Sequence, residues 1–366
     1  PHFAGAVEAV ASTGGQMMPP IMGAAAFIMA DVIGVSYLTI AKAALIPSVL
    51  YYLTLLAIIH LEAVSKNMGT LPPELVPSAA SVLRRLYYLF PLVFLITILL
   101  MGRSVIACAY YGTVCIVILS MIRSETRFTF KRLCGALELS AKNAMMVSSC
   151  CACAGIIIGV LNLTGTGLKF ASGIIALSGG ILPIALILTM GSSLILGMGL
   201  PTAAAYLICA AVIVPALTGL GVPALTGHLF IFYFACLSAI TPPVALAAFT
   251  AASLGKTKPM GVALTAVRLG IVAFIVPFMF VYAPSLLWQG SLPEILGTLA
   301  TSLCGVFFLG SALQGAFRDR VLNMGQRGLF LLGSLALIQP GLVTDLIGVG
   351  LVACALLWQW LGSRRG

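Results

Sequence analysis

Charge is what this sequence has least of: nine acidic and nineteen basic residues in a chain of 366, or 8%. A soluble fold carries charge on roughly a quarter of its residues. With 61% hydrophobic residues and a mean hydropathy of +1.15, the scarcity excludes a soluble protein and leaves an all-α polytopic membrane protein. Histidine is rarer still, at three residues, and none stands in register with the one cysteine cluster, Cys150-Cys151-Ala152-Cys153, so a transition-metal site lacks its second ligand pair. The ten cysteines lie almost entirely within apolar stretches, where a small side chain eases close helix packing. Enzyme signatures are missing too. There is no Gly-x-x-x-x-Gly-Lys-Ser/Thr phosphate loop, no His-Glu-x-x-His and no Gly-x-Ser-x-Gly elbow. ATP hydrolysis and intramembrane proteolysis have no residue set to run them, so the chain reads as no enzyme and without cofactors. The net charge of +10 is scattered over short loops rather than gathered on one face, which marks topology and speaks against nucleic acid as a partner.

What the chain does have is proline and glycine inside its apolar segments. Ser12-Thr13-Gly14-Gly15-Gln16-Met17-Met18-Pro19-Pro20 interrupts a segment about one bilayer thick, and Ser238-Ala239-Ile240-Thr241-Pro242-Pro243 repeats it about 220 residues later. The residues after each diproline are also alike, Ile21 leading to Ala25-Ala26-Phe27 and Val244 to Ala247-Ala248-Phe249. Breaking a spanning helix frees carbonyls on one side and amides on the other, and such backbone survives only where it lines a polar cavity or is buried in protein. Paired interruptions in two halves of a membrane protein point to a transporter's binding site.

Residues 1–35 read as the end of a first repeat, and 36–140 as connecting spans with a cytoplasmic loop. Within the latter, spans are expected at 36–61, with Lys42 snorkelling, then at 86–101 and 104–122 around a turn at Gly102-Arg103. The most basic loop follows, with Arg123, Arg127, Lys131, Arg132 and Lys142 around an amphipathic helix, and it belongs on the cytoplasmic side. Residues 141–290 read as a second repeat: a span at 141–161, an interfacial helix at 166–180, a re-entrant hairpin at 185–217 turning at Gly197-Met198-Gly199-Leu200-Pro201-Thr202, and the second broken segment at 228–254. Counting crossings, the two broken segments run in opposite senses, as in an inverted repeat. A span at 268–288 ends on Trp288 at the interface, where His60 and His228 are also expected. Residues 291–366 form an accessory C-terminal membrane module, with Arg318, Arg320 and Arg327 in a basic linker and a break at Gln339-Pro340-Gly341. The chain opens on Pro1 without a start methionine, and so reads as beginning inside a longer protein.

At each break the preceding helix ends in carbonyls suited to a desolvated cation, and the following one begins with amides suited to a carboxylate. Gly14 and Gly15 permit close backbone approach, and Thr13, Gln16, Ser238 and Thr241 add side-chain oxygens. Sodium is the natural cation for neutral oxygen ligands; the alternative is a plain proline kink. Glu8, one to two turns before the first break, is costly to ionise in an apolar helix. It is a candidate proton relay, cation ligand or partner for an upstream basic residue, or else a carboxylate near the cytoplasmic face. Asp31 reads as interfacial.

The residues from Pro1-His2-Phe3-Ala4-Gly5-Ala6-Val7-Glu8-Ala9-Val10 through Ser12 to Ile21, the Gly197–Thr202 motif, and Ile240-Thr241-Pro242-Pro243-Val244-Ala245 closely resemble the large permease subunit of tripartite ATP-independent periplasmic (TRAP) transporters, in its fused, TAXI-type branch, over about residues 1–290. The resemblance implies a bacterial inner-membrane symporter of small carboxylates with an elevator-type, ion-transporter-like fold, in which the moving domain holds two helical hairpins. It also implies coupling to Na+ or H+, and a periplasmic TAXI-type substrate-binding protein as partner beside membrane lipid. Carried over by position, Gly15, Met18 and Pro19 face one cation site, with Gly14 and Gln16 beside them. Gly197, Gly199 and Thr241 face the other, with Thr202 and Ser238. Thr13, Pro20, Pro201 and Pro242 fall to the substrate. The family's first, glycine- and serine-rich hairpin would lie upstream of Pro1, and the acidic residue that the dicarboxylate branch carries after its Gly-Met motif is replaced here by Pro201-Thr202. That departure weakens sodium at the second site and raises the interest of Glu8. Other readings of the same residues are an organic-anion symporter or channel that needs no binding protein, and a membrane scaffold subunit whose breaks are merely structural.

Overall fold

In a bilayer every backbone N–H and C=O must be paired within the protein, and apolar runs of this length meet that demand as helices. The computed structural model describes residues 1–66, 69, 72–122, 126–317, 320–339 and 341–362. The first three helices are α1 (His2–Gly15), α2 (Ala24–Ile33) and α3 (Tyr37–Ser65), followed by α4 (Ala79–Leu83), α5 (Phe90–Leu100), α6 (Val105–Ser120) and α7 (Phe130–Thr164). Next come α8 (Thr166–Ser178), α9 (Leu182–Gly197), α10 (Thr202–Gly219), α11 (Ala224–Leu237), α12 (Leu246–Leu254), α13 (Pro259–Leu269) and α14 (Ile271–Tyr282). The last are α15 (Leu292–Gln314), α16 (Met324–Ile338) and α17 (Leu342–Gly362). Five stretches among the described residues are long and apolar enough to cross a membrane: Tyr37–Val64, Phe130–Thr164, Thr202–Gly219, Pro259–Tyr282 and Leu292–Gln314. With the shorter apolar helices between them, they make this an all-α multi-pass membrane protein.

The chain divides into two units. The larger comprises residues 1–35, 40–68 and 153–366, and the smaller residues 36–39 and 69–152. At the centre of the larger unit stands α11, buried on every side from Thr226 to Leu237. Helices α9, α10 and α14 pack around it. Phe230 and Phe234 meet Phe278 with ring centroids 5.4 and 6.1 Å apart, and Tyr233 meets Phe280 at 5.7 Å. A helix apolar all round has no preferred face to show to lipid or water, so it becomes the core. The arms of the two broken segments cross over: α1 packs against α12, and α11 against α2.

In the C-terminal part, α15, α16 and α17 pack in sequence. Phe308, Phe317 and Phe330 stack at 5.3–5.9 Å, and a Cβ at Gly348 would stand 2.6 Å from Leu337 Cγ, so α16 and α17 approach at backbone distance. Between α15 and α16 a two-residue antiparallel pair, β1 (Ala316–Phe317) with β2 (Arg320–Val321), turns the chain. Asn323 and Gln326 form a capping box at the start of α16, and Arg327 donates to the carbonyls of Ala312 (3.0 Å) and Leu313 (3.3 Å), closing the end of α15. In the smaller unit α5 and α6 form a hairpin around Gly102, at φ 76°, with Leu95 against Gly112 and Ser104 capping α6.

Several local expectations change. The amphipathic helix of the basic loop and the span at 141–161 are one helix, α7, because no proline interrupts Phe130–Thr164 and its glycines, Gly135, Gly155 and Gly159, are accommodated within the helix. The span assigned to 268–288 starts at Pro259 and bends at Gly270, so Arg268, expected at its first residue, lies in the last turn of α13. His228 is buried within the protein, and its Nδ1 lies 2.7 Å from the buried Tyr206 hydroxyl. Lys42 is exposed and sits over the Trp288 ring at 5.5 Å, and His60 and Asp31 are exposed. Arg123, Arg318 and Pro340 lie outside the described residues.

Candidate functional site

The two interruptions share a backbone path. After α1, Gln16, Met17 and Met18 turn back on the carbonyls of Thr13 (3.2 Å) and Gly14 (2.9 and 3.1 Å). After α11, Ala239 and Ile240 do the same on Cys236 (3.2 Å) and Leu237 (3.0 Å). Both diproline peptide bonds, Pro19-Pro20 and Pro242-Pro243, are cis. Two residues beyond each pair, a non-glycine residue takes a positive φ: Met22 at 53° and Ala245 at 36°. Their amides bond the equivalent carbonyls of Met18 (3.3 Å) and Thr241 (3.2 Å). The chain then closes on matching carbonyls, Gly23 N–H on that of Gln16 (2.7 Å) and, one residue later than the match, Ala247 N–H on that of Ala239 (2.9 Å). Left-handed backbone at a side-chain-bearing residue costs about 1–3 kcal/mol, so its recurrence at matching places shows that the surroundings impose the same path twice.

The first break is held by one face of α3. Tyr51 donates to the Val10 carbonyl (2.6 Å), Tyr52 to Ala11 (2.8 Å) and Ser48 to Met17 (2.7 Å). Positions 48, 51 and 52 fall on one helical stripe, a role that the sequence reading missed. The Met17 carbonyl lies beyond the end of α1, whereas those of Val10 and Ala11 take the tyrosine hydroxyls in addition to their places in the helix, so α3 fastens the last turns of the first arm. Gly14 is needed for the fit, because a Cβ there would come within 2.9 Å of Tyr51 Cδ1 and closer still to Cε1. Beside it Thr13 is 2% exposed, and its Oγ1 is fully buried with no hydrogen-bond partner among the described residues. Gln16, Met18, Pro19 and Pro20 are half-buried, Gly15 is at the surface, and the Gln16 side chain lies against Gly23.

The second break meets the tip between α9 and α10. Ser238 donates to the carbonyls of Ala235 (2.8 Å) and Gly197 (3.1 Å), and Thr241 to that of Leu237 (2.7 Å). Gly199, at φ 76°, stands where a Cβ would lie 3.6 Å from Val244. Each hydroxyl spends its proton on a carbonyl and keeps lone pairs to offer. Pro201 precedes α10, and half-buried Thr202 opens it, so the helix's positive end lies at this tip. Pro242 is half-buried between Thr241 and the exposed Pro243.

Gly197, Gly199, Ser238 and Thr241 are thus brought together, with Thr202 at the head of the adjoining helix. Thr13 to Pro20 form a second group. The groups are linked where Val10 and Ile240 both face Gly270, at 3.7 and 3.2 Å from a Cβ placed there, and where Ser48 touches both the Met17 carbonyl and the Tyr233 hydroxyl (3.4 Å). Glu8 is apart from both. It projects from the exposed side of α1, opposite Ala6, Ala9, Val10 and Thr13, and accepts a hydrogen bond from Ser12 (3.0 Å).

Residues 1–295 match a family model described as the DctM component of the tripartite ATP-independent periplasmic transporter. Neither the curated proteins nor the solved structures gave a match.

Proposed function

Because the chain belongs to that DctM family, it is a membrane permease component of a TRAP transporter, and we propose that it imports small carboxylates by symport with Na+ or H+. The family is one of transporter permeases rather than enzymes, and TRAP permeases work with a periplasmic substrate-binding protein. In our reading that partner is of the TAXI type, and the membrane is the bacterial inner membrane.

The observation that carries the reading is the pair of interruptions with the same backbone path, each beside groups that can serve an ion. At the second, the lone pairs of Ser238 and Thr241 and the carbonyls around Gly197 and Gly199 suit a small cation. At the first, the buried Thr13 hydroxyl has no partner among the described residues, and a cation or carboxylate beside it supplies one. The positive end of α10 behind Pro201 and Thr202 supports a carboxylate between the breaks. The crossed packing of α1 with α12 and of α11 with α2 supports two repeats moving as one body in an elevator-type cycle.

Uptake into proteoliposomes, with the intact transporter, tests this. Accumulation of a carboxylate should require an imposed Na+ or pH gradient and the cognate binding protein. Uptake without the binding protein would turn the reading to a free-standing symporter or channel. Uptake that survives replacing both diprolines by Ala-Ala would reduce the breaks to structural kinks.

A further inference from the structure

Residues 291–366 have no counterpart in the two repeats, and the family match stops at residue 295. Their first helix, α15, is fastened to the rest of the larger unit at three heights. Near its start, buried Ser285, in the turn after α14, donates to the Thr298 hydroxyl at 3.0 Å. Farther along, a Cβ on Gly310 would stand 3.2 Å from Ile58 Cγ1 and 4.0 Å from Thr54 Cγ2. Ile58 and Thr54 are themselves buried, so α15 meets α3 at backbone distance. At its last residue, Gln314 Oε1 accepts from Arg268 Nη2 on α13 at 2.9 Å. Thr298 and Gln314 stand about 24 Å apart along the helix, so the joint runs over most of its length.

These contacts reach both halves of the molecule. The helix that Gly310 meets, α3, is the one that holds the first interruption through Ser48, Tyr51 and Tyr52. The helix that Gln314 meets, α13, packs against α1 and leads into α14, which packs against α11 before the second interruption. Behind α15 the rest of the module follows at the same close range: a Cβ on Gly305 would lie 3.0 Å from Ile338 Cγ1 and 3.1 Å from the Ser334 carbonyl of α16. Helices in lipid gain nothing from apolar contact as such and hold together by close packing at small residues and by hydrogen bonds, both of which α15 has. It also has no second register on α3. A slip of one turn would set Val306 or Gln314 opposite Ile58, in a place where glycine alone leaves room.

Resting on the elevator-type reading above, we infer that the C-terminal module belongs to the moving body: α15 is docked on α3 and α13, and the module travels with both interruptions instead of standing in the fixed frame. Its work there is that of a brace. Because one helix grips α3 on the side of the first break and α13 on the side of the second, it keeps the two breaks in register while they move. Residues 291–366 and the helices of both breaks accordingly fall in the same compact unit, and residues 69–152 in the other.

The test uses the full-length transporter in proteoliposomes, with its native cysteines replaced. Nitroxide labels go in pairs on three exposed positions: Thr113→Cys on α6 in the smaller unit, Thr250→Cys on α12 and Leu332→Cys on α16. Double electron–electron resonance reads the distances in sodium, in potassium, and at low and high pH. The α6–α12 and α6–α16 distances should shift under the same conditions, while α12–α16 keeps its value throughout. A shift of α6–α12 with α6–α16 fixed and α12–α16 changing overturns the proposal and leaves the elevator reading intact. A fixed α6–α12 distance under every condition brings down the elevator reading itself, and the travelling module with it. Uptake gives a separate readout at the far joint. Arg268→Cys/Gln314→Cys bridged by a short bismaleimide should import as fast as the same pair capped with N-ethylmaleimide. Uptake lost only in the bridged form means that the joint has to open in each cycle, which overturns the proposal.

Discussion

Ser238 and Gly197 meet at the tip between α9 and α10: the hydroxyl donates to the glycine carbonyl at 3.1 Å, and a Cβ on Gly197 would stand 2.8 Å from that same oxygen. Gly197→Ala must therefore displace Ser238 or the hairpin tip. Overpacking of this kind costs about 1–3 kcal/mol. A lower melting temperature and loss of uptake are expected, with part of the stability restored in Gly197→Ala/Ser238→Ala, where the colliding oxygen is gone. Strictly additive losses in the double variant would show that the two residues do not share the contact.

Gly14→Ala drives a methyl into the Tyr51 ring, whose hydroxyl holds the Val10 carbonyl. Destabilisation of about 1–3 kcal/mol is expected. Tyr51→Phe alone keeps the ring and loses one buried hydrogen bond, for about 1–2 kcal/mol. Melting curves of the two variants check the order, and a Gly14→Ala variant as stable as wild type would show that the break is not pinned by Tyr51.

Thr13→Val separates structural from ion-binding roles. Its buried Oγ1 has no partner among the described residues, so replacing it with an isosteric methyl removes a desolvation cost of about 1–3 kcal/mol in the ion-free protein. Melting without sodium should occur at an equal or higher temperature. The stabilisation conferred by added sodium or carboxylate should shrink. An unaltered ligand-induced shift would take Thr13 out of the site.

Glu8→Gln tests coupling. The carboxylate is on the exposed face of α1 and accepts from Ser12, so the neutral isostere keeps the hydrogen bond while losing the charge. Should Glu8 carry a coupled proton, uptake by Glu8→Gln loses its dependence on the pH gradient, whereas Ser12→Ala retains it. Unchanged pH and sodium dependence in Glu8→Gln removes it from the mechanism.

The sequence by itself determined the environment and the punctuation. With 8% charged residues the chain has no means of covering itself for water, and diprolines at 19–20 and 242–243 cannot continue a helix, whatever surrounds them. Those facts are local, so composition and motif revealed an all-helical membrane protein, the breaks and their likeness. Contacts between distant segments carried no such mark. That Ser48, Tyr51 and Tyr52 answer the carbonyls of Met17, Val10 and Ala11 depends on α3 lying beside α1, and their hydroxyls looked ordinary in an apolar span. His228 read as interfacial because its position near a helix start suited it, yet the packing of α10 buried it against Tyr206. Arg268 stood at the start of the span expected over 268–288, and only the folded chain puts it in the last turn of α13 and against Gln314, 46 residues away. Only the tertiary structure decided which polar groups found partners and which, like Thr13 Oγ1 and Gln314 Nε2, have none among the described residues, because satisfaction of a buried donor or acceptor is a property of the assembled neighbourhood and not of the residue that bears it.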